Sequence, residues 1–282
     1  MAKIHVPGAV LDATLTGTSG PAVVQLHGLA SSRTRDHVVG LDTARDLTGV
    51  RLLRYDARGH GRSGGRTVPE DYAWDHLATD LLTALDQFFP GEQVYGAGTS
   101  MGLGTVLHAA VREPDRFCGL TLQMPPTAWE TRVPQRGFYL GAATAIEDHG
   151  FEAFVAPGRN APPPPAQVGW PHADPDMDPD LAPSVYRGAA LSDLPDKELI
   201  AGITVPVTIL SWTDDPTHPQ SSARLLDELI PQAKLNVART PDDFARWPDL
   251  FAAGVEPFKT TAAPKKAAST KAAPTKAPRD RA

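Results

Sequence analysis

The chain has 282 residues, 41% of them hydrophobic, with a single cysteine and a formal net charge of −6. That length fits one large domain or two small ones. The lone Cys118 excludes an intramolecular disulfide, and no apolar run approaches the roughly 18 residues of a membrane span. Charge is unevenly placed: residues 259–282 hold seven basic side chains against Asp280 alone, a formal +6, which leaves −12 on residues 1–258. The acidic body therefore offers no basic face for nucleic acid. The opening MAKIHVPGAV has no apolar core behind Lys3, so no secretory leader is expected and a cytoplasmic location is the default.

In chain order, residues 4–15 read as an antiparallel edge hairpin and 22–26 (AVVQL) as a buried strand. A helical pattern at 34–47 precedes a strand at 50–55, and a second helix at 72–88 precedes the short apolar strand 94–97. A helix at 103–112 follows, then Cys118 as a small buried hydrophobe, and the strand 120–124 (LTLQM). The last units are the strand 205–210, the helix 221–229 and the strand 234–238. Such alternation, with nearly continuous apolar strands, predicts a parallel sheet covered on both faces. The spacing breaks once, where about eighty residues separate Met124 from Val205, far more than a crossover needs. This insertion holds a predicted helix at 135–146 and a proline-rich stretch at 161–183. It lies between strands whose ends should line a site, the position of a lid. Beyond Phe258 the Lys-, Ala- and Pro-rich composition cannot offset its ordering entropy, so 259–282 reads as a disordered tail.

The segment GTSMG at 98–102 stands between the strand 94–97 and the helix 103–112. A Gly-x-Ser-x-Gly run on a strand-to-helix turn forces the serine hydroxyl out of the sheet edge, and the flanking glycines avoid collisions with neighbouring backbone. The helix that starts after Ser100 aims free N–H groups at the same spot, where they stabilise negative charge.

Four motifs fall in one order: HGLASS at 27–32, YDARGHGRS at 55–63, GTSMG at 98–102 and WTDDPTHP at 212–219. The chain resembles the α/β-hydrolase fold family over roughly residues 20–258, in particular its small esterases, enol-lactonases and haloperoxidase-like members with an α-helical cap. The resemblance implies an α/β fold with a mostly parallel central sheet flanked by helices. It implies a domain at 1–258 with the cap inserted at about 125–203. Ser100 aligns with the family nucleophile, and the backbone N–H groups of Leu29 and Met101 align with the two oxyanion donors. His27 aligns with a strand-end histidine that supports the loop. In the family, 55–63 is a structural turn, which implies pairing of Asp56 with Arg58 and no chemical role for His60. The acid stands four residues before a proline, as Asp215 does before Pro219, with Asp214 as the close rival.

The family's base is a histidine on the loop after the final strand, and here that stretch, RTPDDFARWPDLFAAG, contains none. Arg239 cannot replace it, because a guanidinium stays protonated. His5 falls in the edge hairpin, His37 and His76 on outer helices, and His108 two turns beyond Ser100. His218 lies three residues after Asp215, where a DPTH turn could bring imidazole and carboxylate together. His149 and His172 could reach down from the insertion, and a site without a catalytic histidine stays open.

The leading reading is a serine hydrolase for a small carboxylic ester or lactone, with Ser100, Asp215 and His218 as nucleophile, acid and base. No metal or organic cofactor is indicated, since no His/Cys/carboxylate spacing suits zinc and no loop would cradle phosphate. The expected partner is a small molecule, with no nucleic acid for the body and no membrane. Trp129, Phe138, Tyr139 and Trp170 predict an apolar, partly aromatic pocket. Two readings compete: a binding or regulatory protein on the same scaffold, favoured by the missing histidine, and an acyltransferase. A nucleophilic aspartate, as in dehalogenases, is disfavoured because the elbow carries serine.

Overall fold

The structure, a computed structural model, describes residues 2–259. Eight strands form one sheet in the order β1-β2-β4-β3-β5-β6-β7-β8. The hairpin of β1 (Ala2–Val6) and β2 (Ala9–Thr16) adds antiparallel to β4 (Arg51–Tyr55). From there β3 (Ala22–Leu26), β5 (Val94–Thr99), β6 (Phe117–Gln123), β7 (Val207–Trp212) and β8 (Ala233–Ala238) run parallel with β4. Every residue of β3 and β5 is buried, because helices cover both faces of the sheet.

The period of two sends alternate side chains to different layers. Val24, Leu26, Leu53, Leu120 and Leu122 join one core with α2 (Trp74–Phe88) and α3 (Met101–Arg112). Val23, Leu52, Tyr95 and Ala97 meet Phe251 and Val255 of α10 (Trp247–Lys259) on the opposite face. Each fully buried Val, Leu, Ile or Phe contributes about 1.5–3 kcal/mol, so the two layers fix the register of the sheet. Parallel strands bring the ends of β4, β3, β5, β6 and β7 to one edge, and each of the four motifs identified in the sequence begins at or just after one of those ends.

Helix α1 (Arg33–Val39) is shorter than the predicted 34–47. Gly40 ends it in the left-handed region at φ 83°, and a Cβ there would collide with the Trp170 ring. The stretch between β6 and β7 holds α4 (Arg132–His149), α5 (Phe151–Val155), α6 (Ala182–Leu191) and α7 (Lys197–Ala201). Tyr139, Ala143 and Ile146 of α4 close on Val185, Tyr186 and Ala189 of α6, and this small core rests on Leu29 and Ala30 after β3. The Arg132 guanidinium is buried and held by backbone carbonyls: Nη2 donates to Ala189 O at 2.8 Å, Nε to Ser192 O at 3.0 Å, and the group lies 4.2 Å over the Trp74 ring. Helices α8 (Gln220–Leu229) and α9 (Pro241–Ala245) flank β8. Sequence periodicity missed the five-residue α5 and α7, too short to show a period, and α6, α9 and α10, each of which carries a proline in its first two positions or its interior.

Two further expectations are corrected. Cys118 is half-buried rather than buried, with desolvation raising its thiol to about 11. Asp56 and Arg58 do not pair: Arg33 Nε donates to Asp56 Oδ1 at 2.9 Å, whereas Arg58 Nη2 donates to Asp80 Oδ1 at 2.7 Å. The chain turns at Arg58 and Gly59, so Arg58 does not continue the line of β4 and its guanidinium reaches Asp80 on α2, while Asp56 stays with Arg33 at the start of α1. The tail reading for 259–282 falls, apart from Lys259, outside the described residues. Among the described residues no helix is long and apolar enough to cross a membrane.

Candidate active site

Ser100 sits between β5 and α3 at φ 52°, ψ −108°, a backbone region that non-glycine residues rarely occupy. The turn is held by Ser100 N–H, which donates to Gln123 O at 2.9 Å, and by Gly104 N–H, which donates to Ser100 O at 3.0 Å. Both glycines of the motif are sterically required. A Cβ on Gly98 would overlap the Gly102 carbonyl, and one on Gly102 would lie 2.6 Å from His27 O. Met101 is the first residue of α3, so its N–H has no intrahelical acceptor. A Cβ built on Gly28 would stand 3.5 Å from Ser100 Cβ, which sets the loop carrying Leu29 against the elbow.

The loop after β7 brings the acid and the imidazole together locally. Asp214 turns the chain at φ 60° and leaves its own side chain exposed. Asp215 then starts a tight turn: Oδ1 accepts Thr217 N–H at 2.9 Å, and Asp215 O accepts His218 N–H at 3.2 Å. That turn folds His218 back, so its Nδ1 donates to Asp215 Oδ2 at 2.8 Å. The far side of the ring faces the elbow, with Nε2 2.9 Å from Ser100 Oγ. Thr127 N–H donates to Thr217 O at 3.1 Å and ties the loop to the segment after β6.

Residues 21–143 match the family model of the alpha/beta hydrolase fold. The chain has the α/β-hydrolase fold. Over 142 residues it is 30% identical to Epoxide hydrolase B of Mycobacterium tuberculosis, taking in 50% of this chain and 38% of that protein, so it spans well under half of that relative. The enol-lactonase from Burkholderia xenovorans LB400 superposes with a TM-score of 0.69 at 22% identity, covering 92% of this chain and all (100%) of that one. A thermophilic esterase from Thermogutta terrifontis gives 0.67 at 19% identity, over 93% and 98% of the two chains.

The other histidines of the hydrolase-fold chain stand elsewhere. His149 is exposed at the end of α4, and His172 is exposed with Nε2 3.4 Å from Asp174 Oδ1. His108 is half-buried and bonds Asp193 O at 2.9 Å. After β8, where the family's base was sought, α9 and α10 supply aromatic packing instead. Phe244 and Trp247 lie 5.4 Å and 5.8 Å from the Trp212 ring. Trp170 joins the same cluster 5.0 Å from Phe244, Phe138 is 60% exposed, and Trp129 bonds Pro195 O. Of the four aromatics expected from the sequence to line a pocket, Tyr139 alone enters the core that rests on Leu29 and Ala30, where Tyr186 joins it.

Sequence reasoning missed Trp212 as a partner of the acid. Its Nε1–H donates to Asp215 Oδ2 at 2.9 Å, and the only available signal was a tryptophan ending a strand three residues before the carboxylate. Burial pushes the Asp215 pKa up, but the hydrogen bond and charge of His218, with Trp212 and Thr217, outweigh it and hold the group at about 2. The carboxylate therefore stays ionised at any ordinary pH. His27 is buried, its Nε2 accepting Ala57 N–H at 2.8 Å and its Nδ1 donating to Gly28 O at 2.8 Å.

Beneath the same loop Ser31 Oγ donates to Asp36 Oδ1 at 2.5 Å, and burial raises the Asp36 pKa from 3.8 to about 6. Between those values the folded chain holds a proton that the unfolded chain has released, so stability falls as pH rises through this window. Above about 6 the penalty stands in full, on the order of 3 kcal/mol at most. An amide at this position keeps the bond from Ser31 and carries no charge. Asp36→Asn is therefore expected to raise the thermal midpoint at pH 8 and to match wild type at pH 4, as read by calorimetry.

Proposed function

We propose that the chain is a serine hydrolase that cleaves a small carboxylic ester or lactone through an acyl-enzyme. The observation that carries this reading is the unbroken chain from Asp215 Oδ2 through His218 to Ser100 Oγ, with contacts of 2.8 and 2.9 Å. Asp215 fixes the tautomer with the proton on Nδ1, leaving the Nε2 lone pair to take the Ser100 proton. Ser100 Oγ attacks the carbonyl carbon, and the oxygen that gains negative charge is met by the N–H groups of Leu29 and Met101. His218 then returns its proton to the departing alkoxide oxygen. Water repeats the sequence on the acyl-enzyme and releases the acid. The segment 125–203 acts as the lid, with α4 and α6 over the loop that bears Leu29.

The names of the structural neighbours, an esterase and an enol-lactonase, agree with this substrate class. The epoxide activity in the name of the curated relative does not suit a serine elbow. A serine oxygen that opened an epoxide would form an ether, which water does not cleave, and the protein would stop after one turnover. A carbonyl substrate gives an ester intermediate, which water does cleave.

An acid-quenched reaction with p-nitrophenyl acetate tests the proposal. One equivalent of p-nitrophenol is expected in a burst, with one acetyl group on the peptide that contains Ser100 by mass spectrometry. Steady turnover with no acyl adduct on Ser100 would overturn it, and an adduct that decays only when an alcohol is added would move the reaction to acyl transfer.

A further inference from the structure

Leu29 and Ala30 are the middle of a turn closed only by a long bond, Ser31 N–H donating to Gly28 O at 3.2 Å, yet an oxyanion donor works only if its N–H points at the developing charge. Ala30, the next residue, sits at φ 57°, where a side chain is disfavoured and the backbone must be held by its surroundings. Its N–H does not bond within the loop. It donates to His60 Nε2 at 3.1 Å, across thirty residues of sequence. The acceptor is prepared on its other side, where His60 Nδ1 donates to Arg58 O at 2.7 Å and so fixes the proton away from Ala30. His60 is 1% exposed, and burial, with His27 beside it, lowers its pKa to about 3. The imidazole is therefore neutral and remains an acceptor at any working pH.

The contact is reciprocal. His27, at the start of the same loop, accepts Ala57 N–H from the turn that bears His60, and the two rings lie 5.2 Å apart. Each segment thus lends an imidazole that takes a backbone N–H from the other. The turn is itself tight, with His60 N–H donating to Ala57 O at 3.0 Å and Gly59 and Gly61 at φ 67° and 52°. The cap segment closes on both sides, since Asp176 N–H donates to Ala30 O at 3.1 Å and Gly61 N–H to Asp176 O at 3.0 Å.

We propose that His60 is a positioning residue of the oxyanion hole: its Nε2 captures Ala30 N–H and so orients the adjoining Leu29 peptide toward Ser100. This rests on the serine-hydrolase reading above. His60 touches no reacting atom, so its removal should weaken binding of the transition state more than binding of substrate.

Two near-isosteric substitutions separate this role from simple core packing. A Gln amide oxygen reaches the place of Nε2 and can accept from Ala30. An Asn amide nitrogen reaches only the place of Nδ1, keeps the bond to Arg58 O and leaves Ala30 unpaired. The readouts are kcat and KM for a p-nitrophenyl ester and the affinity of a trifluoromethyl ketone, which adds the serine oxygen and places an oxyanion in the hole. Removing one oxyanion donor lowers kcat about 10²- to 10³-fold, and misaiming it should give about 10- to 100-fold. His60→Asn is expected to show that loss in kcat, a KM within about threefold of wild type, and a parallel loss of ketone affinity. His60→Gln should recover most of both. Equal kcat in the Asn and Gln variants, or a loss confined to KM, would overturn the assignment. Ser100→Ala serves as the separate control. An inactive Ser100→Ala beside a fully active His60→Asn removes this inference alone, whereas an active Ser100→Ala removes the parent reading and the inference with it.

Discussion

Ser100→Ala is expected to abolish labelling by a fluorophosphonate probe and to reduce p-nitrophenyl ester turnover by roughly 10⁴- to 10⁶-fold, with residual rate from binding and the oxyanion donors. The fold should be indifferent to the change. Alanine meets the same φ of 52° as serine, and the turn is held by backbone bonds to Gln123 O and from Gly104 N–H, which the substitution leaves in place. The loss would therefore be chemical, with a thermal midpoint close to wild type. Two outcomes carry different meanings. Unchanged turnover in the variant would remove the elbow as the site. A wild-type protein that is labelled at Ser100 but turns over no ester would favour a ligand-holding protein on this scaffold.

His218→Ala should lower turnover about 10²- to 10⁴-fold, the usual contribution of general-base help to a serine hydroxyl. His149→Ala and His172→Ala should remain within about twofold of wild type, because both side chains are exposed and His172 stands beside Asp174. The comparison is decisive because it replaces the same residue type three times at different distances from Ser100. Asp215 survives the substitution with Trp212 Nε1 and Thr217 N–H still bonded to it, so the loop should keep its shape. The space left by the ring admits a free base, and added imidazole is expected to restore part of the rate. Wild-type rates in all three variants would end the reading of a histidine base.

The sheet was legible in the chain because its strands are short, continuously apolar and separated by amphipathic helices, and burial on both faces leaves that pattern little freedom. The elbow was legible for a similar reason. Gly98, Ser100 and Gly102 meet steric demands within a few residues, and a local demand leaves a local trace in sequence. Helix ends were less legible: α1 stops at Gly40 partly because Trp170, far along the chain, lies over it. Asp56 and Arg58, two residues apart in sequence, take Arg33 and Asp80 as partners because the chain turns at Arg58 and helices distant in sequence bring those groups to them.

The position of His218 was only half legible. The sequence by itself determined that Asp215 and His218 share one turn, since a DPTH segment closes through bonds made within three residues. Whether that turn reaches Ser100 depends on how far apart β5 and β7 stand and on how β6 lies between them, a distance that no local pattern encodes. The same holds for His60, whose acceptor nitrogen meets Ala30 only because β3 and β4 are paired. Local chemistry determined which groups could act, and the packing of distant strands alone decided which of them meet.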